Sequence, residues 1–170
     1  VSELETLVDQ YEDELGTYLV KLSRQNLSVH DSHTLSIVLH CIGDFERISD
    51  HAINIMEAAQ EMHNKKLTFS PKAEEELKVF SRAVQDIVEK AYAVFRDQDE
   101  KLAQKVEPLE AVVDDLNQEV KKRHIRRLRN GKCTIELGFI LSDITTSLER
   151  VADHCSNIAV YIIQKHKINE

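Results

Sequence analysis

Two stretches of this chain are nearly the same stretch. Residues 45–55 read FERISDHAINI and residues 148–158 read LERVADHCSNI. Six of the eleven positions coincide: Glu46 with Glu149, Arg47 with Arg150, Asp50 with Asp153, His51 with His154, Asn54 with Asn157 and Ile55 with Ile158. A fainter echo lies upstream, where Leu4–Asp9 (LETLVD) matches Leu109–Asp114 (LEAVVD). The two pairs are offset by 103 and 105 residues, so one multi-segment unit occurs twice with a small length change between its segments. The fold must therefore place the same surface twice, on two copies of one architecture.

That architecture reads as helical. Leu137, Leu141, Ile144, Leu148, Val151, Cys155, Ile158 and Ile162 step by fours and threes, the spacing of a seam that packs against other helices. Leu77, Phe80, Val84, Ile87, Ala91 and Phe95 form a second seam, and Leu109, Val112, Leu116 and Val120 a third. No window alternates with period two for long enough to read as a strand. Four Gly and two Pro mean few turns and long elements. Ser70-Pro71 is a helix start, a capping residue followed by Pro at the first helical position, with Glu74, Glu75 and Glu76 near the positive end of the dipole. Asp97-Gln98-Asp99 and Asn130-Gly131 are breaks. The expected helices span residues 2–25, 33–63, 71–97, 99–129 and 133–166, with Pro108 kinking or restarting the fourth.

The second repeat then has three helices and the first has two. The expected fold is all-α: tandem three-helix bundles, a first at residues 1–66 that lacks its N-terminal helix and a complete second at 70–170. This points to a piece of a longer parent. It also predicts that another helix, of this chain or of a second copy, covers the seam near Val38, Phe45 and Ile48.

Each repeat carries two ExxxD pairs: Glu5/Asp9 with Glu46/Asp50, and Glu110/Asp114 with Glu149/Asp153. Carboxylates four apart share a helix face and repel by about 0.2–0.5 kcal/mol. A multivalent cation turns that repulsion into chelation. Two such helices side by side offer four carboxylates, a hard oxygen-donor set for Mg, Mn, Fe or a small metal cluster. At about 100° per residue, Glu46, Asp50 and Asn54 lie nearly opposite their own apolar seam, so core packing does not explain their recurrence. A single ExxxD is ordinary on a solvated face; two copies of ERxxDHxxN are not. Arg47 and Arg150 read as neutralising partners. Asn54 and Asn157 extend the acidic stripe by one turn as outer donors, and His51 and His154, which adjoin the acids, read equally as outer ligands or as packing, hydrogen-bonded histidines. The basic run Lys121–Arg129 is read first as favourable charge at a helix C-terminus, and second as a phosphate, lipid or protein contact.

The string ERxxDHxxN on the last helix of a repeated three-helix unit, with ExxxD upstream, resembles the PhoU family over nearly the whole chain. The resemblance implies tandem three-helix bundles with multinuclear metal clusters on their surface, of iron first and of Zn, Mn or Mg otherwise. The ligands carried over are Glu5, Asp9, Glu46 and Asp50 in one bundle, and Glu110, Asp114, Glu149 and Asp153 in the other. It also implies a role in phosphate uptake and its control, as a free cytosolic regulator or as the cytosolic domain of a sodium/phosphate cotransporter. The stretch Asn130–Asp143 (NGKCTIELGFILSD) looks most like the cotransporter-linked form. The partners implied are the transporter's membrane portion or a phosphate-transport or signalling protein, with a homodimer as a further expectation, and the localisation implied is cytoplasmic.

Other classes fit less well. A di-iron helical-bundle enzyme needs Glu-x-x-His pairs facing the core, and none of the eight His follows Glu by three. HExxH is absent. A net charge of −8 argues against general nucleic-acid binding. No run approaches the roughly 20 apolar residues of a membrane span. Three Cys without a CxxC read as reduced thiols. The expected role is regulatory binding, not catalysis.

Overall fold

The computed structural model describes residues 1–168, with side chains to residue 165, and among these every regular element is a helix. The order is α1 (Ser2–Ser23), α2 (Val29–Lys65), α3 (Pro71–Asp97), α4 (Glu100–Ala103), α5 (Val106–Arg129) and α6 (Ile135–Ile168). None is long and apolar enough to cross a membrane.

Local chemistry sets most boundaries. Ser70 caps α3 by accepting from the Ala73 N–H at 3.4 Å, and Gln98, in the left-handed region at φ 52°, ends it. α2 starts four residues before its expected start because Ser28 caps it, accepting from the Asp31 N–H at 3.0 Å. The helix expected at 99–129 is two. Asp99 caps the one-turn α4, and α5 restarts so that Pro108 falls in its first turn, where a missing N–H costs nothing. Gly131 supplies the positive φ of 64° behind α5, and Thr134 caps α6 through the Leu137 N–H at 3.2 Å.

α3, α5 and α6 pack on one another, with α4 tucked against all three. The long helices α2 and α6 lie along each other, and among the described residues α1 packs on α2 alone. One apolar core runs from Ile37 and Cys41 of α2, through Phe80, Val84, Ile87 and Val94 of α3, to Val151, Cys155, Ile158 and Ile162 of α6. The expected seam of α3 and, from Leu141 onward, that of α6 are both in it. The seam expected on α5 is met at three of its four positions: Val120 is buried and Leu109 and Leu116 pack against the core, but Val112 is half exposed, and Val106, Val113, Asn117 and His124 are buried beside them. Two polar residues lie in that buried line and mask it in the sequence. α5 comes close to α6 at Gly138, where a Cβ would sit 2.7 Å from His124 Nε2, so a side chain there would push into the buried imidazole.

The expected cover over α2 is present within the chain. Phe45 meets the Phe95 ring edge-on at 5.2 Å, and Ile48 packs against the core. α1 is different. It buries no residue, and Leu4, Leu7, Tyr11, Leu15 and Tyr18 are exposed along one stripe.

Candidate metal centre

The duplicated acids fall into two matching clusters. Glu5 and Asp9 of α1 meet Asp50 of α2, and Glu110 and Asp114 of α5 meet Asp153 of α6. In each trio one carboxylate oxygen per residue lies within 4.8 Å of the others. The members correspond one for one through the internal repeat. Each ExxxD pair on the shorter helix supplies both acids, because residues four apart stand one above the other. The long helix contributes the second acid of its own pair.

The first acid of that pair, Glu46 or Glu149, stands beside each trio. Glu149 accepts a hydrogen bond from the Asn117 amide and lies 3.8 Å from Lys121 Nζ. Burial, then Asp50, with Asp9 and Glu12 adding, pushes the Glu46 carboxyl above the usual carboxylate range. Glu12 and Asn117 were not read as site residues from the sequence. They stand 105 residues apart, the offset of the first ExxxD pair, so the repeat itself could have exposed them. Arg47 lies 3.5 Å from Glu46 and 3.6 Å from Asp50, and Arg150 lies 3.3 Å from Asp153, as expected of neutralising neighbours.

The duplicated His and Asn take a different partner. His154 Nδ1 lies 2.7 Å from Asp44 Oδ1, and the Asn157 amide donates to the same oxygen at 3.2 Å. The His51 and His154 rings stack at 5.7 Å, and His51 Nδ1 lies 3.5 Å from the Asn54 amide. The contacts of Asp44 with His154 and Asn157, together with the His51–His154 stack, thus tie α2 to α6; Asp44 is buried and was not among the expected site residues. Cys41 and Cys155 are buried in the same helix pair, and burial pushes both thiols up to about 12. They are protonated and unreactive at neutral pH.

Each trio sets three carboxylates against a single arginine, so an excess of negative charge remains. Asp9 Oδ1 is a buried oxygen with no hydrogen-bond donor among the described residues. Such an atom is costly unless a cation satisfies it. Burial, then Asp114 and Asp153, pushes the Glu110 carboxyl up. These donor sets fit a hard divalent or trivalent ion. A raised carboxyl favours folding below its unfolded pKa of about 4.3 and loses that contribution as pH climbs through the raised value. In metal-free protein, Glu110→Gln is therefore expected to raise the melting temperature at pH 7. The difference from wild type should vanish near pH 4, which paired thermal melts at the two pH values would check.

Comparison with known proteins bears on the same segments. A family model described as the PhoU domain matches residues 1–59 and 77–162. A phosphate-specific transport system accessory protein, PhoU homolog 1 of Thermotoga maritima, is 26% identical over 164 residues, spanning 96% of this chain and 70% of that protein. The corresponding Synechocystis PhoU homolog is 27% identical over 165 residues, spanning 94% and 70%. The crystal structure of PhoU from Pseudomonas aeruginosa superposes with a TM-score of 0.79 at 22% identity, covering 98% of this chain and 82% of that one. That likeness shows the shared helical fold.

Proposed function

Because the chain belongs to the PhoU family, we propose that it is a metal-binding regulator of phosphate uptake rather than an enzyme, acting on the cytosolic face of a phosphate-transport or signalling system. The observation that carries the metal part is the duplication of one carboxylate trio, Glu5/Asp9/Asp50 and Glu110/Asp114/Asp153. Glu46 and Glu149 stand beside the trios to complete the coordination, as four acids per site for a multinuclear cluster, iron first among the candidates. A bound ion would supply charge neutralisation and a cross-link between helices. This chain's own residues do the rest: Arg47 and Arg150 limit the net charge of each site, and the Asp44–His154–Asn157 network holds α2 against α6.

The phosphate part is supported by the relatives, which are named for a phosphate-specific transport system. Those relatives favour an accessory protein over a domain attached to a sodium-dependent transporter. The attached form is carried by the stretch Asn130–Asp143 alone, and membrane fractionation of the native protein separates the two.

The test is phosphate uptake in cells of the source organism. Deleting the gene should change the rate of labelled phosphate uptake and abolish its adjustment to external phosphate. A copy carrying Asp50→Asn and Asp153→Asn, expressed at the wild-type level, should fail to restore that adjustment. Unchanged uptake in the deletion strain would refute the phosphate role. Full rescue by the variant would refute the role of metal.

A further inference from the structure

We infer that the cleft between the start of α3 and the end of α5 is a binding site for a small phosphate-bearing anion. The cleft has a volume of about 670 Å³, within the range of small-ligand sites. Five cations line it: Lys72 from α3, Arg123, Arg126 and Arg127 from α5, and Lys132 from the loop that follows. Only two carboxylates face them. Glu76 accepts from Arg127 at 2.8 and 3.0 Å and lies 3.6 Å from Arg123, and Glu119 accepts from Arg123 at 2.9 Å. Among the described residues, Lys72, Arg126 and Lys132 have no carboxylate within ion-pair distance. A chain of net charge −8 thus gathers three uncompensated cations in one concavity.

Favourable charge at the end of α5 accounts for Arg126 and Arg129. It does not account for Lys72. That residue lies in the first turn of α3, at the positive end of the dipole, where a cation is disfavoured unless an anion joins it. Nor does it account for Arg127. Its guanidinium is held in place by Glu76 through Nη1, yet its Nη2 is buried with no acceptor among the described residues. An oriented guanidinium with a free donor, flanked by Lys and Arg heads that have no carboxylate partner, matches the oxygens of a phosphate group. The cleft shares no residue with either acidic trio, so this inference stands or falls apart from the metal.

The test is titration calorimetry of the full chain with inorganic phosphate and with pyrophosphate, in low-salt buffer with chelator so that bound metal takes no part. Saturable binding is expected. The double charge reversal Arg126→Glu and Lys132→Glu, at two exposed positions, should weaken it at least tenfold, while Arg126→Lys with Lys132→Arg should keep most of it. Both variants should retain wild-type helix content and wild-type metal content. Vesicles of phosphatidylglycerol, against phosphatidylcholine, identify the source of the phosphate. Charge-dependent cosedimentation with the first, without binding of either free anion, assigns the site to a lipid headgroup. Binding to none of these probes, or binding indifferent to the charge reversal, would overturn the inference.

Discussion

Chelator-stripped protein is expected to melt several degrees higher once a divalent cation that occupies the acidic trios is returned. Any ligand of the native state stabilises it by mass action, about 2.7 kcal/mol per site at a hundredfold excess over Kd. For a chain of this size each kcal/mol is worth about 2–4 °C. The paired substitution Asp114→Asn and Asp153→Asn separates chelation from a merely solvated acidic face. Without metal it relieves repulsion and should melt at or above wild type, because burial and like charges already push the neighbouring Glu110 carboxyl up. With metal it should melt below wild type, because one of two sites is lost, and bound metal should fall by about half. An acidic patch that binds nothing gives the first result without the second. Thermal melts beside elemental analysis would show which holds.

The second large effect lies in the core. Phe80 is fully buried where α3 meets α6, and Phe80→Ala is expected to cost about 3–5 kcal/mol through lost burial and the cavity left behind. At about 2–4 °C per kcal/mol, the midpoint should fall by roughly 6–20 °C. Its neighbour Val79 is half exposed, so Val79→Ala should stay within about 0.5 kcal/mol. Equal losses in the two variants, measured by urea or thermal unfolding, would mean that the buried face of α3 is not the one that carries Phe80.

These outcomes also separate what was legible in the sequence from what was not. The seams of α3 and α6 were readable because Leu, Ile, Val and Phe mark nearly every inward position. The start of α3 was readable to the residue because Ser70-Pro71 has one structural meaning. On α5 the rule found only part of the inward face. Leu109, Leu116 and Val120 do face the core, but Asn117 and His124 also occupy inward positions, so the apolar line took in the half-exposed Val112 and passed over the buried Val113. The early start of α2 was missed because Ser28 is followed by Val29 and His30, weak helix formers, although Asp31 stands where a capping residue needs its partner. The trios were legible because recurrence at a fixed offset separates them from the many other acids. Asp44 was not. Its counterpart by the 103-residue offset is Ser147, so duplication was blind to a buried carboxylate that joins the two halves.

The two trios look alike and differ in what they fasten. The second joins α5 to α6, and both are anchored in the core whatever the site contains. The first joins α2 to α1, a helix that touches no other element and buries none of its residues. Segments held this lightly open at free energies well below that of global unfolding. An ion shared by Glu5, Asp9 and Asp50 would then act as a latch on a hinged panel, and the same ion in the second trio as a rivet in a finished wall. Cation supply would set how long α1 stays shut while leaving the rest of the molecule as it is, so two chemically equivalent sites would report the same ion in unequal ways.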